Sequence, residues 1–175
     1  TARSYLDLLE TGCQVRTLPA YFVNTGKRLR KAPKILARDC GFAAHVADVR
    51  SWEDAVSRGM DGPLVETFAL AELITLAGLS ETRPGATYWR TGRGAEVDLV
   101  FERGPAVVGI EVKSAVGLRY EHARSLMSLR DDLGDRFRIG VVAYLGDETR
   151  RLGDRVWAVP LASLLGGCAV DVVDL

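Results

Sequence analysis

The sequence predicts an α/β fold in which a mixed central sheet is flanked by helices, and three features carry that expectation. Residues 96–101 and 106–113 alternate or are β-branched around the turn signal Glu102-Arg103-Gly104-Pro105, which reads as an antiparallel hairpin. Residues 64–77 form an apolar helical run entered through Gly62-Pro63 and left through Gly78, the expected helix punctuation. The order helix, three-stranded meander, helix, further strands is that of a helix–sheet–helix sandwich.

The elements follow in order. Residues 4–10 predict a short helix ending near Gly12. Residues 14–18 and 21–23 predict strands split by Pro19, with Asn24-Thr25-Gly26 as a turn. A strand at 34–37 and a short helix at 39–46 come next, then the helix at 64–77. Strands follow at 87–90, 96–101 and 106–113, a helix at 120–133, a strand at 138–144, and a strand with a short helix over 156–165. A helix followed by a basic hairpin is the pattern of the second half of a winged helix. Residues 1–45 are therefore read as a small partial winged-helix-like segment, and residues 46–175 as the main domain.

Composition bounds the function. With 175 residues, 47% apolar and 26% charged, the chain can bury a full core. No long apolar run or secretory signal is apparent, so the expectation is a cytoplasmic domain without a membrane segment. Cys13, Cys40 and Cys168 are widely spaced and join only His45 and His122, which makes reduced thiols the reading and a zinc site improbable. There is no Ser-His-Asp or Cys-His cue and no Gly-rich phosphate loop, hence no ATP site in this chain.

The formal net charge of zero hides an asymmetry. Residues 1–40 hold eight Lys or Arg against three Asp or Glu, and five of the eight are Lys27, Arg28, Arg30, Lys31 and Lys34. Such a run suits a polyanion, and it equally suits a solvated loop.

The hairpin concentrates the chemistry. Side chains alternate along a strand, so Glu96 and Asp98 share one face of the first strand, and Glu111 and Lys113 one face of the second. If Phe101 pairs with Ala106 across an even-numbered loop, Asp98 lies opposite Gly109 and Glu96 opposite Glu111, and the faces coincide. Asp98 and Glu111 are then diagonal neighbours about 7 Å apart. Two carboxylates and a lysine so placed are the parts needed to hold a divalent cation and activate a water. A Glu-x-Lys pair can also be merely solvated, worth a fraction of a kcal/mol. The apolar flanks Ile110 and Val112 and the run Val107-Val108 favour the functional reading, because buried carboxylates resist ionisation unless a cation compensates.

The order helix, Asp on the second strand, Glu-x-Lys on the third, helix, strand resembles the PD-(D/E)XK nuclease superfamily, with Asp98, Glu111 and Lys113 as its motif. The wording Tyr5-Leu6-Asp7-Leu8-Leu9-Glu10, Leu18-Pro19, Gly26-Lys27-Arg28-Leu29, Lys31-Ala32-Pro33-Lys34, Asp39, Trp89-Arg90 and Glu96-Val97-Asp98 is similar to the C-terminal region of a family of prokaryotic AAA-type P-loop ATPases. The resemblance implies a restriction-endonuclease-like core binding Mg2+ or Mn2+. Asp98, Glu111, Glu66 and the Val112 backbone carbonyl would be the ligands, and Lys113 would face the attacking water. Glu72 is placed on its helix much as Glu66 is, and only the family pattern selects Glu66. Where the superfamily often has Gln or Lys in the second helix, this chain has His122 and Arg124. Nucleic acid, DNA in the first instance, would meet Lys27, Arg28, Arg30, Lys31, Lys34, Arg90, Arg93 and Arg124.

The chain begins at Thr1 and lacks a phosphate loop, so it is expected to be the C-terminal part of a longer protein whose ATPase domain lies elsewhere. An oligomer is compatible with this. Two functions stand side by side: a metal-dependent phosphodiesterase, and a nuclease-fold module that binds DNA or a partner without turnover.

Overall fold

Strands rich in Val, Ile, Tyr and Phe assemble into a six-stranded sheet, seen in a computed structural model that describes residues 1–22, 32–92 and 94–166. The elements are α1 (Ala2–Thr11), β1 (Val15–Leu18), β2 (Lys34–Ala37), α2 (Cys40–Val46), α3 (Trp52–Ser57), α4 (Asp61–Leu79), β3 (Gly85–Arg90), β4 (Glu96–Arg103) and β5 (Ala106–Lys113). They continue with α5 (Arg124–Leu133), β6 (Phe137–Tyr144), β7 (Arg150–Gly153), β8 (Val156–Pro160) and α6 (Leu161–Leu165). The strand order is β3-β4-β5-β6-β8-β7, while β1 and β2 form a separate antiparallel pair. The sheet is mixed: β3–β4, β4–β5 and β7–β8 are antiparallel, and β5–β6 and β6–β8 are parallel. Parallel neighbours need a crossover, and α5 provides the one from β5 to β6.

Each sheet face has its own apolar cluster, as alternation requires. Leu99, Ile110, Val112 and Val141 pack with Val65, Ala69, Leu70 and Ile74 of α4. Val97, Val100, Val107, Phe137, Val142 and Val156 pack with Leu126, Leu129 and Leu133 of α5. Leu18, Ala20 and Leu36 join the α4 cluster, so the described part of residues 1–45 packs onto the main core. Asp61–Leu79 has a mean hydropathy of 1.4 and, among the described residues, is long and apolar enough to cross a membrane by length and composition. This helix departs from the expectation of no long apolar run. In the fold Val65, Ala69, Leu70 and Ile74 are buried as a core stripe.

Several boundaries move for local reasons. The expected strand at 21–23 does not form over Tyr21 and Phe22. Pro19 breaks the run, β1 pairs with β2, and Ala20 makes a parallel bridge to Tyr88. Val23 and the turn at 24–26 lie outside the described residues. α4 starts at Asp61, because Pro63 in a first turn forfeits an N–H that has no partner anyway, and it runs through Gly78 to Leu79, with Ser80 as its cap. α3 was not foreseen, although Ser51 caps it by accepting from the Asp54 N–H at 3.2 Å. β7 was missed because its exposed arginines show no alternation. The helix expected over 120–133 divides into a 3-10 turn at Tyr120–Ala123 and α5.

Close packing of α5 depends on two glycines that are neighbours across β5 and β6, Gly109 and Gly140. A Cβ on Gly109 would meet Leu126 Cδ2 at 2.8 Å and Leu129 Cδ2 at 3.1 Å. We expect Gly109→Ala to cost about 1 to 3 kcal/mol by overpacking, read as a fall in the urea midpoint at unchanged m. An unchanged midpoint would show that α5 has slack against the sheet.

Candidate functional site

The site gathers where β4 leaves its pairing with β5. The hairpin turn is tighter than expected: Arg103 pairs with Ala106, leaving a two-residue Gly104-Pro105 loop with Gly104 at φ +56°. Val100, and not Asp98, therefore faces Gly109. The change from the expected register is two residues, so parity is kept and the next step of the ladder beyond Leu99–Ile110 brings Asp98 beside Glu111. The cause lies in the turn: Gly104 supplies a positive φ, so four loop residues are unnecessary.

A bulge completes the placement. Thr87 pairs with Val100 but Trp89 with Val97, so three steps of β4 oppose two of β3 at Asp98. The freed Asp98 carboxylate accepts from the Val112 backbone N–H through Oδ2 at 2.9 Å, tying it between Glu111 and Lys113. Asp98 is 8% exposed and Glu111 7%.

Two lysines meet these acids. Lys113 Nζ donates to Glu111 Oε1 at 2.6 Å. Lys34 Nζ lies 2.5 Å from Glu66 Oε1, 3.3 Å from Asp98 Oδ1 and 3.6 Å from Glu96 Oε1. Arg90 Nε reaches Glu96 Oε2 at 3.5 Å. Glu111 Oε2 is buried and has no hydrogen-bond partner among the described residues.

The electrostatics follow from burial and like charge. Burial, then the Asp98 charge, push the Glu111 carboxyl up to about 7 against the opposing pull of Lys113. Burial alone would lower the Lys34 ammonium, but Asp98, Glu66 and Glu96 together hold it well above the usual lysine value. Lys113 is likewise raised: its burial is outweighed by Glu111, Asp98 and Glu66.

The expected residues are thus only partly brought together. Asp98, Glu111, Lys113 and Glu66 meet in one cluster, while Glu72, the other candidate on the same helix, is exposed. Val112 lies between Glu111 and Lys113 with its side chain in the α4 cluster. Lys34, expected to face phosphates, turns inward to three carboxylates because its strand begins beside α4 and β4. Arg124 is exposed at the start of α5. His122 closes its own 3-10 turn, Nδ1 accepting from the Arg119 N–H at 3.2 Å. Lys27, Arg28, Arg30, Lys31 and Arg93 lie outside the described residues. Glu96 was not named as a site residue; its place two positions before Asp98 was the available signal.

In chemistry the donors suit a hard divalent cation: four carboxylates, one with a buried, unpartnered oxygen. In arrangement they are held by lysines, and among the described residues no three acidic groups stand grouped to hold a metal as they are.

Residues 61–164 match a family described as a domain of unknown function, DUF4143, and residues 1–53 match another, DUF8612. Uncharacterized proteins of Mycobacterium bovis and Mycobacterium tuberculosis are each 34% identical over 171 residues. The alignment covers 98% of this chain and 37% of each relative, so the chain spans well under half of the proteins it resembles.

Proposed function

The chain belongs to the DUF4143 family, and from that premise we propose that its acidic cluster is a metal-dependent phosphodiesterase site on a restriction-endonuclease-like core. Its setting would be the C-terminal module of a P-loop ATPase acting on nucleic acid. The observation that carries this reading is Glu111 Oε2: a buried carboxylate oxygen without a partner, on a strand beside Asp98 and two residues from Lys113. A buried polar atom left without a hydrogen bond is costly, and a fold that retains one commonly uses it.

Asp98, Glu111, Glu66 and the Val112 carbonyl would hold Mg2+ or Mn2+. When bound, the cation would polarise the phosphodiester and lower the pKa of a water. Lys113 stays an ammonium at neutral pH, since the surrounding acids raise it. It therefore suits orienting a water or neutralising phosphate charge better than removing a proton. Asp98, tied to the Val112 N–H, holds its carboxylate in place without reorganisation.

A second reading, a nuclease-fold module that binds DNA or a partner without turnover, is favoured by one observation. Lys34 already occupies two of the carboxylates that a metal would need, Glu66 and Asp98. Incubation with single-stranded, duplex and branched DNA and with RNA, in Mg2+ or Mn2+, separates the two. We expect wild-type cleavage that Asp98→Asn and Lys113→Ala abolish. Uncut substrates throughout, with binding retained, would leave the binding module.

A further inference from the structure

The inference rests on the site just described and concerns Lys34. Lysine carries three N–H donors and no acceptor. Here its ammonium faces three carboxylates from two elements, Glu66 of α4 and Glu96 and Asp98 of β4, with Lys34 itself on β2. Two of these contacts are hydrogen bonds, to Glu66 and Asp98, and beside Asp98 the buried Glu111 Oε2 has no hydrogen-bond partner among the described residues. Lys34 and Lys113 thus satisfy part of the cluster, and Glu111 Oε2 is left to take one more cationic contact.

We propose that Lys34 is a tethered counter-ion that closes this carboxylate cluster, and that a divalent cation enters by displacing its ammonium. The exchange replaces one positive charge by two and gives Glu111 Oε2 a partner, while Lys34, whose side chain is 22% exposed, swings outward on its flexible stem to solvent or a phosphate. Metal affinity in the wild type is then reduced by the fraction of molecules in which Lys34 has withdrawn.

The test is a Mn2+ titration of the whole chain by calorimetry and by thermal shift, comparing wild type with Lys34→Met and Lys34→Gln. We expect either variant to bind Mn2+ at least about tenfold more tightly than wild type, because the competing ammonium is gone. A purely structural Lys34 would lower the metal-free melting temperature and leave the Mn2+ affinity unchanged; equal finite affinities overturn the displacement alone. No binding by any of the three overturns the metal-site reading as well. Wild-type protein supplies an independent measure if the variants fold poorly. Acylation of Lys34 by an N-hydroxysuccinimide ester, followed by peptide mass spectrometry, should accelerate at saturating Mn2+. A rate unchanged or lowered by the metal contradicts displacement.

Discussion

Glu111→Gln should abolish a pH-dependent loss of stability worth about 3 kcal/mol in metal-free buffer. The Glu111 carboxyl is raised from 4.5 to about 7 in the folded chain, chiefly by burial and then by Asp98. At 1.36 kcal/mol per unit, that is about 3 kcal/mol between the protonated and ionised limits. Between these two values the folded state binds the proton and the unfolded state has released it, so stability falls as pH rises. The contribution is fully present below about pH 4.5 and lost by the time pH has passed about 7. Urea unfolding of both proteins from pH 4 to 9 measures it as the difference between their curves. Glutamine keeps the shape and cannot ionise, so the difference should grow through that window and then level off. A difference independent of pH would mean that Glu111 is ionised or protonated throughout, and the electrostatic account of the cluster would fail.

Phe137→Ala is expected to cost about 3 to 5 kcal/mol, the range for emptying a buried aromatic site. Phe137 is fully buried at the start of β6, and its ring lies against the space above Gly109 and Gly140, where α5 comes closest to the sheet. The Arg155 guanidinium carbon stands 5.9 Å from the ring centre, and Arg155 Nη1 donates to the Phe137 carbonyl, so the β6–β8 side is braced on the same residue. Relaxation is limited because both neighbours are glycines without side chains to move in. The cost should appear as a lower urea midpoint, and Phe137→Leu should recover much of it by refilling the volume. An Ala variant within 1 kcal/mol of wild type would show that α5 collapses onto the sheet.

How far the sequence reached depended on the range of the signal. β2 and β5 were delimited to the residue at 34–37 and 106–113, because alternation and β-branching act over a few positions. α3 and β7 escaped it: one is a short capped turn, and the other an arginine-rich edge whose pairing with β8 is its only reason to be a strand. The register of β4 on β5 was off by two for a comparable reason, since the turn at Gly104-Pro105 was read as four residues long.

By itself the sequence determined which residues could share a face: Glu96 with Asp98, and Glu111 with Lys113. Period two is a property of any strand, and an error of two in register leaves it intact. Only the tertiary structure decided what those faces meet. Lys34 is 64 positions from Asp98 and 32 from Glu66, in a run that reads as surface charge, yet it ends among three carboxylates. No local pattern encodes that meeting. It follows from β2 docking beside α4 and the bulged end of β4, where burial makes each acid require a nearby cation.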